Sequence, residues 1–214
     1  MADISQTLRG KFITFEGTEG TGKTTQIQCL EEYLHSRGLN VLVTREPGGT
    51  RAGEQVRTVL LEQTEVPLDA RTELLLMFAA RAQHLAEIIY PALRDGAWVL
   101  CDRFTDASYA YQGGGRGISD SDIKEIESVV HPGFQPDLTI VLTCALETAM
   151  QRVSSRGKKD RFERESQDFF ERVHAAYLKL AGRDPKRFAV INTEPEIEEV
   201  ASRIRQTVDS RFSL

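Results

Sequence analysis

The sequence predicts an α/β fold in which a five-stranded parallel sheet is covered by helices on both faces. Three observations lead to this prediction. Five short apolar runs read as buried strands, helical segments separate these runs, and a glycine-rich turn joins the first strand to the first helix. A length of 214 residues without repeat or linker suits one domain spanning residues 1–214.

The first part of the chain alternates strands with helices. Lys11–Glu16 is a short apolar run, and Leu39–Thr44 is rich in residues that favour strands. Between them, Lys23–Arg37 reads as a helix. Arg51–Glu62 and the long stretch Ala70–Arg94 have the apolar spacing that is typical of helices.

The second part supplies three further strands. They are the apolar runs Ala97–Cys101, Leu138–Thr143 and Phe188–Asn192. Each of the last two is followed by a predicted helix, which begins at about Leu146 and at about Glu196. This alternation indicates that the strands run parallel.

Two segments interrupt the alternation. Gln112–Gly117, with the sequence QGGGRG, is predicted to be a mobile or tightly turning loop. Ser154–Arg164 is a basic excursion between two helices. A basic run taken alone is more often a solvated loop than a functional segment, so its interpretation depends on the other motifs.

The composition excludes several classes of protein. The formal net charge of −5 argues against a broad nucleic-acid-binding surface, although a few arginines could hold a small anionic substrate. No apolar run approaches the ~18 residues of a membrane span, and residues 1–10 lack the apolar core of a signal peptide. Cys29, Cys101 and Cys144 lack metal-type spacing, and we expect buried free thiols. We therefore expect a cytoplasmic protein without nucleic-acid or membrane partners.

A phosphate-binding motif lies between the first strand and the first helix. Its sequence, GTEGTGKT, matches the G-x-x-x-x-G-K-[ST] pattern in the strand-to-helix context that the pattern requires. The glycines let the backbone direct N–H groups at an anion beside a helix N-terminus. We expect Lys23 to reach the β- and γ-phosphates and Thr24 to bind Mg²⁺. The predicted nucleotide-binding residues are Gly17, Thr18, Glu19, Gly20, Thr21, Gly22, Lys23, Thr24 and Thr25.

The P-loop alone does not decide between a small-molecule kinase, a GTPase switch and an ATP-driven motor. The guanine-reading NKxD motif of GTPases is absent, and the third strand ends in Asp102 followed by Arg103. Asp102 can hold the Mg²⁺ shell, and Arg103 lies at the sheet edge where ligands of open α/β sheets bind. An arginine there suits a second anionic substrate better than water. A structural ion pair is the alternative.

The second strand ends in the motif TREPGGT, in which an arginine precedes a turn fixed by proline and glycine. Arg45 is expected at the same sheet edge as Arg103. Two guanidinium groups that converge on a monophosphate make charge-assisted, often bidentate contacts. Arg57, on the following helix, is a third candidate.

These motifs together resemble bacterial thymidylate kinase. FEGTEGTGKTT, TREPGGT, DRF and AYQGGGRG occur in the order and spacing of that family, and the resemblance runs from Lys11 to the C-terminal helix. Adenylate and guanylate kinases share the P-loop but lack the other motifs. The resemblance implies a P-loop NTPase three-layer fold and a homodimer. It also implies transfer of the γ-phosphoryl group of Mg-ATP to dTMP, giving dTDP and ADP in dTTP biosynthesis.

The resemblance also implies roles for single residues. Asp102 would support Mg²⁺, and Arg103 would bind the acceptor phosphate. Ser108 and Gln112 would read the thymine edge, and Tyr111 would crowd the ribose 2′ position. The implied dTMP-binding residues are Arg45, Glu46, Pro47, Arg57, Met77, Phe78, Arg81, Arg103, Ser108, Tyr111 and Gln112.

One position departs from the family pattern. The family usually stacks thymine on a phenylalanine four residues before the arginine that hydrogen-bonds the base, which is here Arg81. That position holds Met77, and the phenylalanine follows at Phe78. Either a small helix rotation presents Phe78 or the polarizable methionine forms the platform, and each could also be ordinary core.

The basic segment acquires a function from the resemblance. Members of the family draw the arginine for phosphate transfer from the P-loop or from the lid, and this P-loop contains no arginine. The resemblance therefore implies a lid at residues 154–164, in which Arg156 or Arg161 closes over ATP. An arginine that arrives on closure stabilises the transferring charge and helps to exclude water.

The expected chemistry needs no strong general base, because the acceptor oxygen is already ionised. Catalysis is then positioning and charge neutralisation. Glu16, at the end of the first strand, could assist electrostatically or act as a local cap. Two alternatives remain: the same chemistry on another acceptor, and a regulatory or DNA-associated ATPase without a small acceptor. The predicted catalytic residues are Glu16, Lys23, Asp102, Arg103, Arg156 and Arg161.

Overall fold

The computed structural model describes residues 8–62, 65–154 and 161–214. Five strands form one sheet in the order β2-β3-β1-β4-β5, and all neighbouring strands are parallel. The predicted fold class is confirmed. The strands are β1 Lys11–Glu16, β2 Val41–Arg45, β3 Trp98–Asp102, β4 Leu138–Thr143 and β5 Phe188–Asn192.

Helices connect the strands, and their bounds lie within two residues of those predicted where a helix was predicted. Two π-helical turns interrupt them: Leu85–Ile89, between α3 and α4, and Tyr109–Gly115, after α5. A short 3-10 helix, Phe162–Arg164, precedes α8. The α-helices are α1 Lys23–Ser36, α2 Arg51–Leu61, α3 Ala70–His84, α4 Tyr90–Arg94, α5 Thr105–Ser108, α6 Asp120–Val130, α7 Leu146–Ser154, α8 Gln167–Arg183 and α9 Ile197–Phe212.

Side-chain caps explain where several helices begin. Thr50, Asp69, Ser119 and Ser166 each accept a hydrogen bond from a backbone N–H in the first turn of α2, α3, α6 and α8, respectively. These contacts satisfy N–H groups that have no partner within the helix. In the described ranges, no helix combines the length and the apolar character needed to cross a bilayer.

The core lies on both faces of the sheet. Ile13 and Leu100 pack with apolar residues of α1 and α9 on one face, whereas Phe12 and Val99 pack with the Leu85–Ile89 turn and α4 on the other. A further cluster joins α8 to β4 and β5. Because both faces are covered, the central strands read as continuous apolar runs in the sequence.

The sheet brings the motifs together at one edge. Asp102 is in register with Phe15 of β1 and with Arg45 of β2, so the carboxyl ends of these three parallel strands coincide. The P-loop, the TREPGGT turn and Arg103 follow directly. Ligands of open parallel sheets bind at this edge.

The prediction of a loop over Gln112–Gly117 is wrong for most of that segment. Helical backbone continues through Gly115, and the segment lies against α8. A Cβ atom on Gly115 would stand 2.4 Å from the Phe169 ring, and one on Gly114 would stand 2.6 Å from the Ala176 Cβ. The glycines therefore permit close packing of two helical segments instead of supplying a mobile loop.

Two further features differ from expectation. The sequence did not suggest α6, whose only fully buried apolar residue is Ile123 among the residues described. Of the three cysteines, Cys101 is buried, but Cys29 and Cys144 are partly exposed. Cys29 lies on α1, which is covered on one side only, and Cys144 lies beyond the end of β4.

Candidate active site

The loop between β1 and α1 is shaped to hold an anion. Gly17, Gly20 and Gly22 have positive φ angles, which residues with side chains rarely adopt. A Cβ atom on Gly17 would also lie 2.3 Å from the carbonyl oxygen of Leu142. Gly22 immediately precedes α1, so the unpaired N–H groups of this helix N-terminus open on the loop.

Lys23 lies across this loop. Its Nζ donates to the carbonyl oxygens of Gly17, at 3.2 Å, and Thr18, at 3.0 Å. Burial, with a smaller contribution from the charge of Arg103, lowers the pKa of Lys23 to about 8. A bound phosphate would stabilise the charged form of this buried ammonium group.

A cleft of about 190 Å³ opens beside the loop, and we call it the phosphate cleft. Asp102 and Thr24 both line it. The Oδ1 atom of Asp102 is buried and has no hydrogen-bond partner among the described residues. A buried oxygen without a partner is costly, and divalent cations such as Mg²⁺ take oxygen ligands, so this pair fits a metal ion. The lining residues are Glu19, Gly20, Gly22, Lys23, Thr24, Arg45, Glu46, Arg57, Asp102, Arg103 and Glu163.

A second cleft, of about 80 Å³, adjoins the first, and we call it the acceptor cleft. Glu19, Glu46, Arg57 and Arg103 line both clefts. Two guanidinium groups and two carboxylates thus stand where the clefts meet, with Glu19 paired to Arg103 and Glu46 paired to Arg81. Both guanidinium groups could contact an anionic group at that junction. The other lining residues are Pro47, Leu61, Met77, Arg81, Phe104, Ala107, Ser108, Tyr111, Gln112 and Phe162.

Arg103 is held in an unusual conformation. Its φ angle is 73°, in the left-handed region, where a residue with a side chain is strained. Nη2 donates to Glu19 Oε1 at 2.8 Å, and Nη1 donates to the Tyr177 hydroxyl at 3.3 Å. The guanidinium carbon lies 4.6 Å from the centre of the Tyr111 ring. Three side chains therefore position this guanidinium group.

Glu16 supports the backbone next to Arg103. Oε1 accepts a hydrogen bond from the Phe104 N–H at 2.8 Å, and Oε2 accepts one from the Tyr177 hydroxyl at 2.7 Å. Burial, assisted by the charge of Asp106, raises the pKa of Glu16 to about 8. The geometry thus favours the cap, the second of the two roles considered for Glu16.

Arg81 is 2% exposed and lies in the wall of the acceptor cleft. Nε donates to Glu46 Oε2 at 2.7 Å, and Nη1 and Nη2 donate to Ser108 Oγ and to the Phe104 carbonyl oxygen. The other Glu46 oxygen lies 2.9 Å from His84 Nδ1. Burial alone would raise the pKa of Glu46, but the Arg81 charge and the His84 hydrogen bond outweigh it, so the pKa is lowered. An ionised Glu46 therefore neutralises Arg81 and fixes its orientation.

Tyr111 and Gln112, both selected from the sequence, also line the acceptor cleft beside Arg81. The Tyr111 hydroxyl donates to Glu19 Oε2 at 2.8 Å. The Gln112 amide nitrogen donates to Glu73 Oε1 at 2.7 Å. Both side chains are buried, so their positions are set by the surrounding protein.

The structure separates Met77 from Phe78. Met77 lines the acceptor cleft. Phe78 is 1% exposed and packs in a core cluster with Leu74 and Ile123. Its ring is stacked on His131, with 6.3 Å between the centroids. Of the two alternatives, the geometry favours Met77 as the residue that faces a bound base.

Arg45 and Arg57 are held by different contacts at the phosphate cleft. Arg45 Nη2 pairs with Glu54 Oε2 at 3.0 Å, and both side chains are about half exposed. Arg57 Nη1 donates to the carbonyl oxygen of Pro47 at 3.0 Å. The TREPGGT turn thus supplies one arginine and positions a second.

The predicted lid falls only partly within the described residues, and Arg156 lies outside them. Arg161 Nη2 donates to Glu73 Oε2 at 2.7 Å, and Nε donates to the Leu60 carbonyl oxygen at 2.8 Å. The neighbouring Phe162 lines the acceptor cleft. The end of the lid segment therefore docks on α2 and α3 beside that cleft.

Three buried polar residues around the clefts were missed by sequence reasoning. His84 lies three residues after Arg81 on α3, so helical spacing could have identified it. Tyr177 and Glu73 contact Glu16 and Gln112 across separations of 161 and 39 residues. No local pattern signals such contacts.

Comparisons with known proteins all point to one family. A family model described as "Thymidylate kinase" matches residues 15–204. The thymidylate kinase of Chromohalobacter salexigens is 50% identical over 206 residues, covering 95% of this chain and 97% of that protein. That of Pseudomonas putida is 52% identical over 193 residues, covering 90% and 92%. The crystal structure of thymidylate kinase from Ehrlichia chaffeensis superposes with a TM-score of 0.76 at 34% identity, covering 93% of this chain and 98% of that one.

Proposed function

The chain belongs to the thymidylate kinase family, and we propose on this premise that it transfers the γ-phosphoryl group of ATP to dTMP. The products are dTDP and ADP, and the reaction serves dTTP biosynthesis. One observation carries the proposal. The cleft beside the P-loop opens into a second cleft, and Arg57 and Arg103 stand at their junction, where a phosphate acceptor must meet a phosphate donor.

The roles of the phosphate-binding residues follow from charge and position. ATP lies along residues 17–25, with Lys23 on the β- and γ-phosphates. Arg103 and Arg57 hold the phosphate of dTMP, and Arg45 adds positive charge at the rim. The acceptor oxygen is already ionised, so catalysis consists of alignment and stabilisation of the charge that develops on the transferring group.

Mg²⁺ is the proposed metal ion. Asp102, whose buried Oδ1 has no hydrogen-bond partner in the described part of the chain, and the hydroxyl of Thr24 would support it from the protein side. The described residues contain no cluster of three or more acidic, His or Cys ligands. Mg²⁺ keeps several waters and binds substrate phosphates, so such a cluster is not required. When bound, the ion neutralises phosphate charge.

The acceptor cleft is the proposed site of the nucleoside. Arg81, Ser108 and Gln112 present hydrogen-bonding groups for the edge of thymine, and Met77 offers an apolar contact for its face. Tyr111 stands where a ribose 2′-hydroxyl would need space, which favours deoxyribose. Glu46 and Pro47 shape the cleft between base and phosphate.

The lid is proposed to act on closure. Residues 154–164 lie between α7 and α8, and Arg156 or Arg161 would reach the transferring phosphoryl group when ATP binds. Arg161 would then exchange its contact with Glu73 for the nucleotide. We propose that the lid belongs to a single domain comprising residues 1–214.

A homodimer in the cytoplasm is the proposed state of the protein. Leu75 on α3 is 56% exposed, Val59 on α2 is 47% exposed, and Val129 on α6 is 82% exposed. Helices α2 and α6 both contact α3. A second copy could cover such apolar side chains.

The proposed activity is tested by measuring ADP formation from Mg-ATP with one acceptor at a time. The acceptors are dTMP, dUMP, dCMP, the ribose form of dTMP (ribothymidine monophosphate), AMP and GMP. We expect turnover with dTMP far above the rest. Arg103→Lys keeps the positive charge but cannot bind phosphate through two parallel hydrogen bonds, so it should turn over dTMP more slowly. Higher turnover with another monophosphate would overturn the choice of acceptor. ATP turnover that needs no acceptor would overturn the kinase assignment.

A further inference from the structure

The side-chain amide of Gln112 has only one possible orientation in this structure. Its Nε2 atom donates to Glu73 Oε1 at 2.7 Å, and the residue is 1% exposed and borders the acceptor cleft. An amide nitrogen only donates and a carboxylate only accepts, so the amide oxygen cannot take the place of the nitrogen. The contact with Glu73 therefore leaves the Gln112 oxygen for the cleft.

Two arginines pair with the Glu73 side chain. The carboxylate is fully buried, with Arg161 Nη2 at 2.7 Å and Arg116 Nη2 at 3.3 Å from Oε2. Arg116 is itself anchored by Glu165 at 2.6 Å. A carboxylate paired with guanidinium groups has no proton to donate. Gln112 consequently cannot turn its oxygen towards Glu73 without breaking a buried hydrogen bond.

The orientation of Gln112 matters for the base because pyrimidines differ at ring position 3. Thymine and uracil carry an N–H there, whereas cytosine has an acceptor nitrogen. An oxygen in the cleft can accept from the N–H, but it meets the cytosine nitrogen as a second acceptor. Binding of cytosine would leave the Gln112 oxygen buried without a hydrogen-bond donor. A penalty of this kind discriminates strongly between the two kinds of base.

We propose that Glu73 is a specificity-determining positioning residue, which fixes the Gln112 amide so that the acceptor cleft selects pyrimidines with a protonated N3. Glu73 acts through Gln112 and does not touch the base. This inference rests on the proposed function, in which Gln112 meets the edge of thymine. The two arginines pair with Glu73 Oε2, whereas the selection depends on the hydrogen bond that Oε1 accepts from Gln112.

The test compares wild type with Glu73→Gln, using kcat/KM for dTMP, dUMP and dCMP at high enzyme concentration. A glutamine at position 73 can donate as well as accept, so Gln112 can turn its nitrogen into the cleft. We expect the dTMP-to-dCMP ratio to fall about tenfold, which corresponds to about 1.4 kcal/mol. The dTMP-to-dUMP ratio should stay unchanged, because both bases carry the same N3–H.

Arg116→Gln is the matched control. It removes the ion pair between Arg116 and Glu73 but leaves the hydrogen bond between Glu73 and Gln112 in place. We expect a lower midpoint of thermal unfolding and an unchanged dTMP-to-dCMP ratio. If Glu73→Gln does not fold, as judged by circular dichroism, Glu73→Asp keeps the charge and withdraws it from Gln112. It should lower the same ratio by a smaller factor.

Three results would overturn the inference. They are an unchanged dTMP-to-dCMP ratio in a folded variant at position 73, an equal fall in Arg116→Gln, and a wild-type ratio near one. A failure of the proposed function is distinguishable, because wild type would then show no turnover that depends on dTMP. In that case the ratios have no meaning and the inference falls with the function.

Discussion

At the scale of single residues, Arg103 illustrates how buried polar contacts prepare a charged group. Its left-handed backbone is stabilised by Glu16, which binds the N–H of the next residue, and its guanidinium group contacts Tyr177 and Glu19. Tyr177 connects the two parts, since its hydroxyl contacts both Glu16 and Arg103. The strain of the turn is thus offset by contacts that also aim the side chain.

Removal of the Tyr177 hydroxyl should impair catalysis more than substrate binding. In Tyr177→Phe, Arg103 is positioned by one hydrogen bond fewer and Glu16 is left without one donor, and changes of this kind cost ~1–3 kcal/mol. We expect kcat to fall about tenfold with a smaller change in KM for dTMP. Tyr33→Phe is the control, because the Tyr33 hydroxyl binds Asp209 away from both clefts. Loss of thermal stability with unchanged kcat would mean that Tyr177 is only structural.

The lowered pKa of Lys23 predicts a pH dependence of nucleotide binding. Lys23 is charged below its pKa of about 8 and loses its proton as the pH rises through that value. The kcat/KM for ATP, which reports ionisations of the free enzyme, should therefore fall above about pH 8. Lys23→Arg stays charged and should show a smaller fall, because Glu16, with a pKa of about 8, is then the group that still titrates in this range; its absolute activity is lower. A wild-type profile that is flat from pH 7 to pH 10 would contradict this prediction.

At the scale of elements, the π-helical turn 109–115 and α8 form one packed unit. The turn carries Tyr111 and Gln112 into the acceptor cleft, and its glycines allow the contact with α8, which carries Tyr177. A single close contact thus sets the position of side chains on both elements. Protein interiors are close-packed, so they do not tolerate an added methyl group without rearrangement.

A methyl group at Gly115 should disturb this unit. In Gly115→Ala the new Cβ would stand 2.4 Å from the Phe169 ring, and overpacking of this kind typically costs ~1–3 kcal/mol. We expect the free energy of unfolding to fall by about that amount, with a rise in KM for dTMP. Denaturant titration measures the free energy of unfolding, and steady-state kinetics measures the KM.

Gly182→Ala provides the matched control on α8. A Cβ there meets no heavy atom within 4 Å among the residues described, and alanine is the better helix former by up to about 1 kcal/mol. This variant should be as stable as wild type or more stable. Equal effects at positions 115 and 182 would show that the close packing has no special role.

At the scale of the whole molecule, the order of the strands decides which motifs meet. The order β2-β3-β1-β4-β5 places the carboxyl ends of β1, β2 and β3 side by side, so the P-loop, Arg45 and Arg103 share one edge. The opposite flank of α3 exposes Leu75. One helix can therefore supply Arg81 to the site and an apolar surface to a second copy.

A charge on that surface should separate the proposed dimer. Leu75→Glu places a carboxylate among apolar side chains, where burial without a partner is costly. We expect sedimentation to show monomers at concentrations where wild type is dimeric. Leu178→Glu, at a 42% exposed leucine of α8, is the control and should remain dimeric. A monomeric wild type would refute the dimer itself.

The sequence by itself determined the fold class, the P-loop and the set of motifs at the sheet edge, because strand patterns and glycine-rich turns are local properties of the chain. It could not decide between Met77 and Phe78, because a rotation of α3 by one residue exchanges a cleft position for a core position. It also left Glu73 and Tyr177 unnoticed. Their partners are distant in the chain, and only the packing of α3, α8 and the sheet brings these buried groups within hydrogen-bonding distance.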